Sequence, residues 1–324
     1  MTTRGRLRLY GCGGAGVNIV SYFDRADVEL SASIGAEIHA TYIDTSRSNI
    51  KAQINEEHVS ILDNVDGSGK IRSENANLIA ENIRQILLKH KPMDMNVVVF
   101  SAAGGSGSVA GPLVIKALLE EELPVVALVI TSTESVITTQ NSIKTLKTLE
   151  AISSQTKKPV VTWLSHNQTA SRSANDTDAR AMISFMAIAC SKQIDEVDSR
   201  DIANWLQFDR TTTTKPCLAG LTAVLSSEAQ DWEGLNPLSI LSIYPNPDAE
   251  TISQVPEYQS TGYADLSDHR IPVLHLAVDV HKPRELAAQL VAIQTHQLKE
   301  RDSRVQPKSI VDQGDHVDDN GLIL

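Results

Sequence analysis

The run Gly104-Gly105-Ser106-Gly107-Ser108 has the residue types to hold an anion. Three glycines and two serines in five positions suit a turn whose backbone N–H groups converge. Glycine takes φ > 0 and lets a ligand come close to the backbone. The apolar run Val97–Phe100 leads in, and a helical pattern from Leu113 to Leu119 leads out. A helix start adds unsatisfied N–H groups and the positive end of its dipole. Such a junction suits phosphate, although a tight strand-to-helix turn without a ligand fits the same residues. A second loop, Gly11-Cys12-Gly13-Gly14-Ala15-Gly16-Val17-Asn18, lies between strand Leu7–Tyr10 and a helix running on through Val20 and Phe23. A dinucleotide fold needs one such loop. Two loops facing one crevice supply the donors that a nucleoside triphosphate can use.

Two other nucleotide motifs compete. Gly11-x-Gly13-x-x-Gly16 follows a strand and opens a helix, as the dinucleotide fingerprint does. The acid that holds the ribose should then lie roughly 20 residues on. Asp44 ends the next strand about 28 residues past Gly16, and the Gly104–Ser108 loop has no role in a dehydrogenase. A nicotinamide-dependent oxidoreductase is therefore the weaker alternative. There is no GxxxxGK[ST], and Gly67-Ser68-Gly69-Lys70 has the wrong spacing for one.

The elements around these loops alternate. His39–Ile43 reads as a strand ending at Asp44, and Asn77–Leu88 as an amphipathic helix. Leu123–Ile130 and Val160–Leu164 read as buried strands, Thr131–Ser142 as a polar loop, and Ile143–Ile152 as a helix. Apolar strands between helices predict a parallel sheet covered on both faces, with ligands at the carboxyl ends of the strands. A helix from about Thr177 to Lys192 has an apolar middle, Ala181–Cys190, and should be buried between two domains. Asp195, Glu196, Asp198 and Asp201 follow at its end, where the helix dipole disfavours acids. Residues 206–300, with strands Leu218–Leu225 and Val273–Val278 and a closing helix Pro283–Lys299, suggest a smaller α+β domain. The expected division is a nucleotide-binding domain over 1–174, the core helix over 175–196, a second domain over 197–304, and an acidic tail over 305–324.

Composition narrows the function classes. The 324 residues are 41% hydrophobic and 21% charged, enough for a sizeable core. A net charge of −11 and only 4% aromatics oppose a broad nucleic-acid-binding face. No apolar run reaches the roughly 18 residues of a membrane span. Cys12, Cys190 and Cys217 have no metal-ligand spacing and fit free thiols in a reducing cytoplasm. Cys12 reads as a small loop residue rather than a nucleophile.

Taken together, the chain resembles the tubulin and FtsZ superfamily, most closely its phage-encoded branch. The family's phosphate loop is Gly-Gly-Gly-Thr-Gly-(Ser/Thr)-Gly; here it stands as Ala103-Gly104-Gly105-Ser106-Gly107-Ser108-Val109. Further matches are Gly13-Gly14-x-Gly16-x-Asn18, Asp44-Thr45, Gly111-Pro112-Leu113, Glu134-Ser135, Lys147–Ile152, Asp198-x-x-Asp201-x-Ala-Asn204-Trp205, and Val317-Asp318-Asp319-x-Gly321. The resemblance implies a GTPase that polymerises head to tail, binding GTP or GDP with Mg²⁺. Gly13, Gly14, Gly104, Gly105, Ser106, Gly107 and Ser108 would hold the phosphates, and Asp44 would join the site. Gly67, Ser68, Gly69 and Lys70 would sense the γ-phosphate. Glu134 would contact the ribose, and Asn18 and Asn175 the guanine. Asp198 and Asp201 fall in the acidic catalytic loop, which would cap the neighbour's nucleotide. Asp312, Asp315, Asp318 and Asp319 of the tail would pair with a basic patch on that neighbour, for example Arg284, Lys299 or Arg301. The implied setting is the cytoplasm of an infected bacterium, where the filament positions phage DNA. A tubulin relative that binds GTP but barely hydrolyses it is the alternative that Ala103 and Val109 keep open.

Overall fold

A computed structural model describes residues 4–25, 35–62, 65–167, 172–248 and 254–304. In chain order the elements are β1 (Arg6–Cys12), α1 (Gly13–Val20), β2 (Glu37–Asp44), β3 (Val59–Ile61), α2 (Ala76–Lys89), β4 (Met95–Ser101), α3 (Gly107–Glu120), β5 (Val125–Ser132), α4 (Val136–Thr156), β6 (Val160–Asn167) and α5 (Arg172–Ala189). Then follow α6 (Ser199–Leu206), β7 (Leu218–Val224), β8 (Ser239–Tyr244), β9 (Tyr258–Tyr263), β10 (Leu274–Asp279) and α7 (His281–Ser303).

The ten strands among the described residues form one sheet, in the order β3-β2-β1-β4-β5-β6-β7-β10-β8-β9. From β3 to β7 every pairing is parallel; β10 is antiparallel to both of its neighbours. The strands of the smaller α+β part thus extend the first sheet through β6 and β7, with Val160 opposite Leu218. Side chains alternate across a strand. On β4, Val97 and Val99 face the core under α1 and α5, while Val98 and Phe100 face the core under α2, α3, α4 and α7. That double burial is why the central strands are apolar without interruption.

Two elements depart from expectation. The segment expected as a loop over Thr131–Ser142 becomes helix at Val136. Ser135 caps α4 through a box with Thr138, and the buried face of this helix carries Thr138, Asn141, Ser142 and Thr145. A helix that buries polar groups shows no apolar stripe to read. The core helix α5 runs from Arg172 and stops at Ala189, so Asp195 to Asp201 do not lie on its end. Asp198 instead caps the start of α6, where the dipole favours acids. Only the C-terminal half of α5 is buried nearly all round: Ala181 is exposed, while Met186 to Cys190 are buried.

No helix among the described residues is long and apolar enough to cross a membrane. The tail, including Asp312, Asp315, Asp318 and Asp319, lies outside the described residues. Arg284, Lys299 and Arg301 are exposed on α7. Arg284 and Lys299 stand about 22 Å apart along it at 1.5 Å per residue, so they do not form one patch.

Candidate functional site

The two glycine-rich loops meet backbone to backbone at the carboxyl ends of β1 and β4. Gly13 has φ +68°, and a Cβ there would sit 2.8 Å from the Cα and N of Gly107. A Cβ on Gly107 would sit 2.6 Å from the Cys12 carbonyl oxygen. No larger residue fits either position, so the loop sequences are what bring the starts of α1 and α3 together. Neither helix start is capped by its own N-cap side chain, Cys12 or Ser106. Their N–H groups therefore converge on one crevice, a cavity of about 190 Å³.

Most of the expected phosphate-binding residues line this cavity: Gly13 and Gly14 from the first loop, Gly104 to Gly107 from the second, and Gly67 and Ser68 opposite. Ser68 Oγ accepts from Ser106 N at 3.0 Å, and Thr45 and Ser106 share a hydrogen bond between their hydroxyls. Ser108 does not line the cavity. Its hydroxyl donates to the carbonyls of Gly104 and Gly105, at 2.7 and 2.8 Å, and folds the loop from behind. Gly69 also stands off the cavity wall, at φ +54°.

Asp44 lines the cavity at the end of β2. Burial pushes its carboxyl up from the usual range, opposed by hydrogen bonds from Asn49 Nδ2 at 2.8 Å and Thr45 N at 2.7 Å. Asn49 and Ser46 line the same wall and were not foreseen. Their signal was their position just past Asp44-Thr45.

Asn18 lies one turn further along α1. Its amide Nδ2 donates to Asp176 Oδ2 at 2.9 Å, and Lys51 Nζ donates to its Oδ1 at 3.0 Å. Burial pushes the Asp176 carboxyl upward. The expected partner, Asn175, is buried and turned toward β6, donating to His166 O at 3.0 Å and Asn167 Oδ1 at 2.9 Å. The group on α5 that meets Asn18 is therefore Asp176. Helix phase decides between adjacent residues, and the sequence did not fix that phase. Glu134 precedes α4 and pairs with Arg172 at the start of α5, which holds its carboxyl below the usual range.

Asp198 and Asp201 lie at the other end of the sheet. Asp198 lines a separate, largely apolar cavity of about 310 Å³ with Asp94 and Pro124, which immediately precede β4 and β5. Strands β1, β4 and β5 run parallel. The first cavity is at their carboxyl ends and this one at their amino ends. Asp198 is exposed, and backbone N–H groups of Asp201 and Arg200 hold its carboxylate below the usual range. Among the described residues no three His, Cys, Asp or Glu side chains gather to hold a metal ion.

Comparison with known proteins agrees with this geometry. Residues 6–157 match the Tubulin/FtsZ family GTPase domain, and residues 197–280 match the C-terminal domain of phage tubulin-like proteins. A phage tubulin-like protein of Pseudomonas phage phiKZ is 27% identical over 338 positions, covering all of both chains. A second, from Pseudomonas phage PhiPA3, is 27% identical and covers 98% of this chain and 99% of its own. The solved protofilament of TubZ from bacteriophage PhiKZ superposes with a TM-score of 0.86 at 26% identity, covering 98% of this chain and 99% of that one. With both matched domains in order along one continuous sheet, the chain belongs to the tubulin/FtsZ family, and residues 6–157 are its GTPase domain.

Proposed function

We propose that this protein assembles head to tail with copies of itself and hydrolyses GTP at the joint between subunits. The carrying observation is the separation just described: the cavity and the Asp198–Asp201 pair sit at opposite ends of the parallel strands β1, β4 and β5. A subunit cannot bring its own acids to its own nucleotide, whereas stacking two subunits in line joins them. The filament form of a relative, in the PhiKZ TubZ protofilament, supports the same arrangement.

In this reading the phosphates rest on the N–H groups of the Gly13–Gly14 and Gly104–Gly107 loops, with Ser108 keeping the second loop folded and Gly67 to Lys70 beside the γ-phosphate. Glu134 lies at the ribose side. Asn18 and Asp176 read the base, since a carboxylate accepts the two neighbouring N–H groups that guanine presents. Mg²⁺ suits this site. It keeps several waters and takes phosphate oxygens with one or two protein oxygens, so it needs no dedicated cluster of acids; Asp44 and Ser46 are the nearby oxygen donors. When bound, it neutralises charge on the phosphates. Asp198 and Asp201 of the next subunit orient and polarise a water for in-line attack on the γ-phosphorus. The bond to the bridging oxygen breaks, giving GDP and inorganic phosphate. Hydrolysis is thus coupled to assembly. Similarity to phage tubulin-like proteins supports a filament that works in the cytoplasm of an infected bacterium and positions phage DNA there.

The test is light scattering of the purified protein with GTP and Mg²⁺, with GDP as control. GTP should raise scattering above a threshold protein concentration. Scattering that stays flat at all concentrations with GTP would overturn head-to-tail assembly.

A further inference from the structure

We propose that Asn141 is a positioning residue that fixes the Gly67–Lys70 loop against the phosphate loop and so sets the preference for GTP over GDP; this rests on the nucleotide reading above. Asn141 is buried on α4. Its single Nδ2 donates to Lys70 O at 2.8 Å and to Ala103 O at 3.1 Å, with Gly104 O at 3.4 Å. One amide group therefore spans both loops, and neither can shift without losing a bond to it.

The rest of this α4 face bonds to residues beside the same two loops. Thr145, one turn on, donates to Ala102 O at 3.0 Å. Thr148 accepts from Arg72 Nη2 at 3.3 Å, and the same nitrogen donates to Ser108 O at 3.2 Å. These positions follow helical spacing, so they share one face. The Gly67–Lys70 loop also needs an external hold. Gly67, Gly69 and Lys70 all have positive φ, at +78°, +54° and +66°. Lys70 has a Cβ and rarely adopts that conformation, which persists where surrounding contacts impose it. Asn141 holds the carbonyl of that residue.

The difference between GTP and GDP is the terminal phosphate, and the Gly67–Lys70 loop is the part of the site assigned to it. GDP depends on the phosphate loop and the base contacts. Removing the amide donors of Asn141 should therefore weaken GTP more than GDP. The Thr145 hydroxyl donates to Ala102 O beside the phosphate loop and, within α4, to the Asn141 carbonyl at 2.8 Å, but not to the Gly67–Lys70 loop or the Asn141 amide, so its loss should weaken both alike.

The experiment is competition binding of GTP and GDP to full-length protein, for wild type, Asn141→Leu, Asn141→Ser and Thr145→Val, with folding checked by circular dichroism. The ratio of GTP to GDP affinity is expected to fall about tenfold in both Asn141 variants, the scale of one or two lost hydrogen bonds. It should stay unchanged in Thr145→Val. Asn141→Ser covers the case in which the leucine variant does not fold. Equal weakening of both nucleotides by the Asn141 variants would make Asn141 a structural residue only and overturn the proposal. A wild-type protein that binds neither nucleotide would overturn the nucleotide reading itself, and this proposal with it.

Discussion

Asp198 and Asp201 cap each other at the start of α6. Asp198 Oδ1 accepts from Asp201 N at 3.1 Å, and Asp201 Oδ2 accepts from Asp198 N at 3.0 Å. The reciprocal bonds fix both carboxylates on a helix end, and Tyr258 adds a hydrogen bond to Asp201 Oδ1 at 3.3 Å. The pair is therefore rigid before any neighbour arrives, and its capping and chemical roles must be separated by experiment.

Asparagine caps a helix about as well as aspartate, and alanine does not. Asp198→Asn should keep the melting temperature of wild type, while Asp198→Ala should melt lower. Both should release phosphate about a hundredfold more slowly, the scale of a lost acid–base group. Wild-type turnover in Asp198→Asn would remove Asp198 from the chemistry and leave it a cap.

The junction of the two glycine loops tolerates no side chain. Gly107→Ala would drive its Cβ to 2.6 Å from the Cys12 carbonyl, and Gly13→Ala would add a positive-φ penalty to a clash with Gly107. Each should weaken GTP by at least about tenfold, equivalent to roughly 1.4 kcal/mol, as read by titration with a fluorescent GTP analogue. Unchanged affinity in both would mean the nucleotide does not use this junction.

Base recognition through Asp176 predicts a switch. Asp176→Asn replaces an acceptor with a group that also donates, which suits the C2 carbonyl of xanthine. Affinity should move from GTP toward XTP in a competition assay. Equal loss for both nucleotides would place Asp176 outside the base site.

The buried histidine of the second domain predicts a pH dependence of stability. His275 lies between Trp232 and Tyr244, with Ser242 Oγ 2.9 Å from Nδ1 and Ser227 Oγ 3.3 Å from Nε2. Burial pushes its pKa down to about 4 from an ordinary 6.5. The unfolded chain takes up this proton near pH 6.5, and the folded protein only near 4. The contribution of neutral His275 is thus intact above pH 6.5 and is lost as pH falls toward 4. Melting temperatures of His275→Gln should fall less steeply over that interval than those of wild type. Parallel slopes would contradict the assignment.

Much of the nucleotide cavity was legible because its requirements are backbone requirements. Close approach of two chains at Gly13 and Gly107 forces glycine, and glycine is visible in a sequence. The central strands were legible because burial on both faces leaves an uninterrupted apolar run, as in Val97–Phe100. The first turns of α4 were hidden because Thr138, Asn141 and Ser142 spend their polar groups on neighbouring carbonyls, which in sequence looks like a loop. The capping box at Asp198-Ser-Arg-Asp201 carries a helix-start signal, but its acids follow so closely on the apolar run Ala181–Cys190 that in sequence they resemble the end of that helix, whereas α5 stops at Ala189 and α6 starts anew at Ser199. The choice of Asp176 over Asn175 rests on the phase of α5 against α1, a tertiary fact.

Hydrolysis that needs two subunits must depend on protein concentration. Phosphate release should be followed together with light scattering in one sample, across a range of protein concentrations, with GTP and Mg²⁺. Release should be negligible below a threshold concentration, and above it the specific rate should rise with the scattering signal. A specific rate that stays constant from the lowest concentration upward would show a self-contained enzyme, and the assignment of Asp198 and Asp201 to the neighbour's nucleotide would fail.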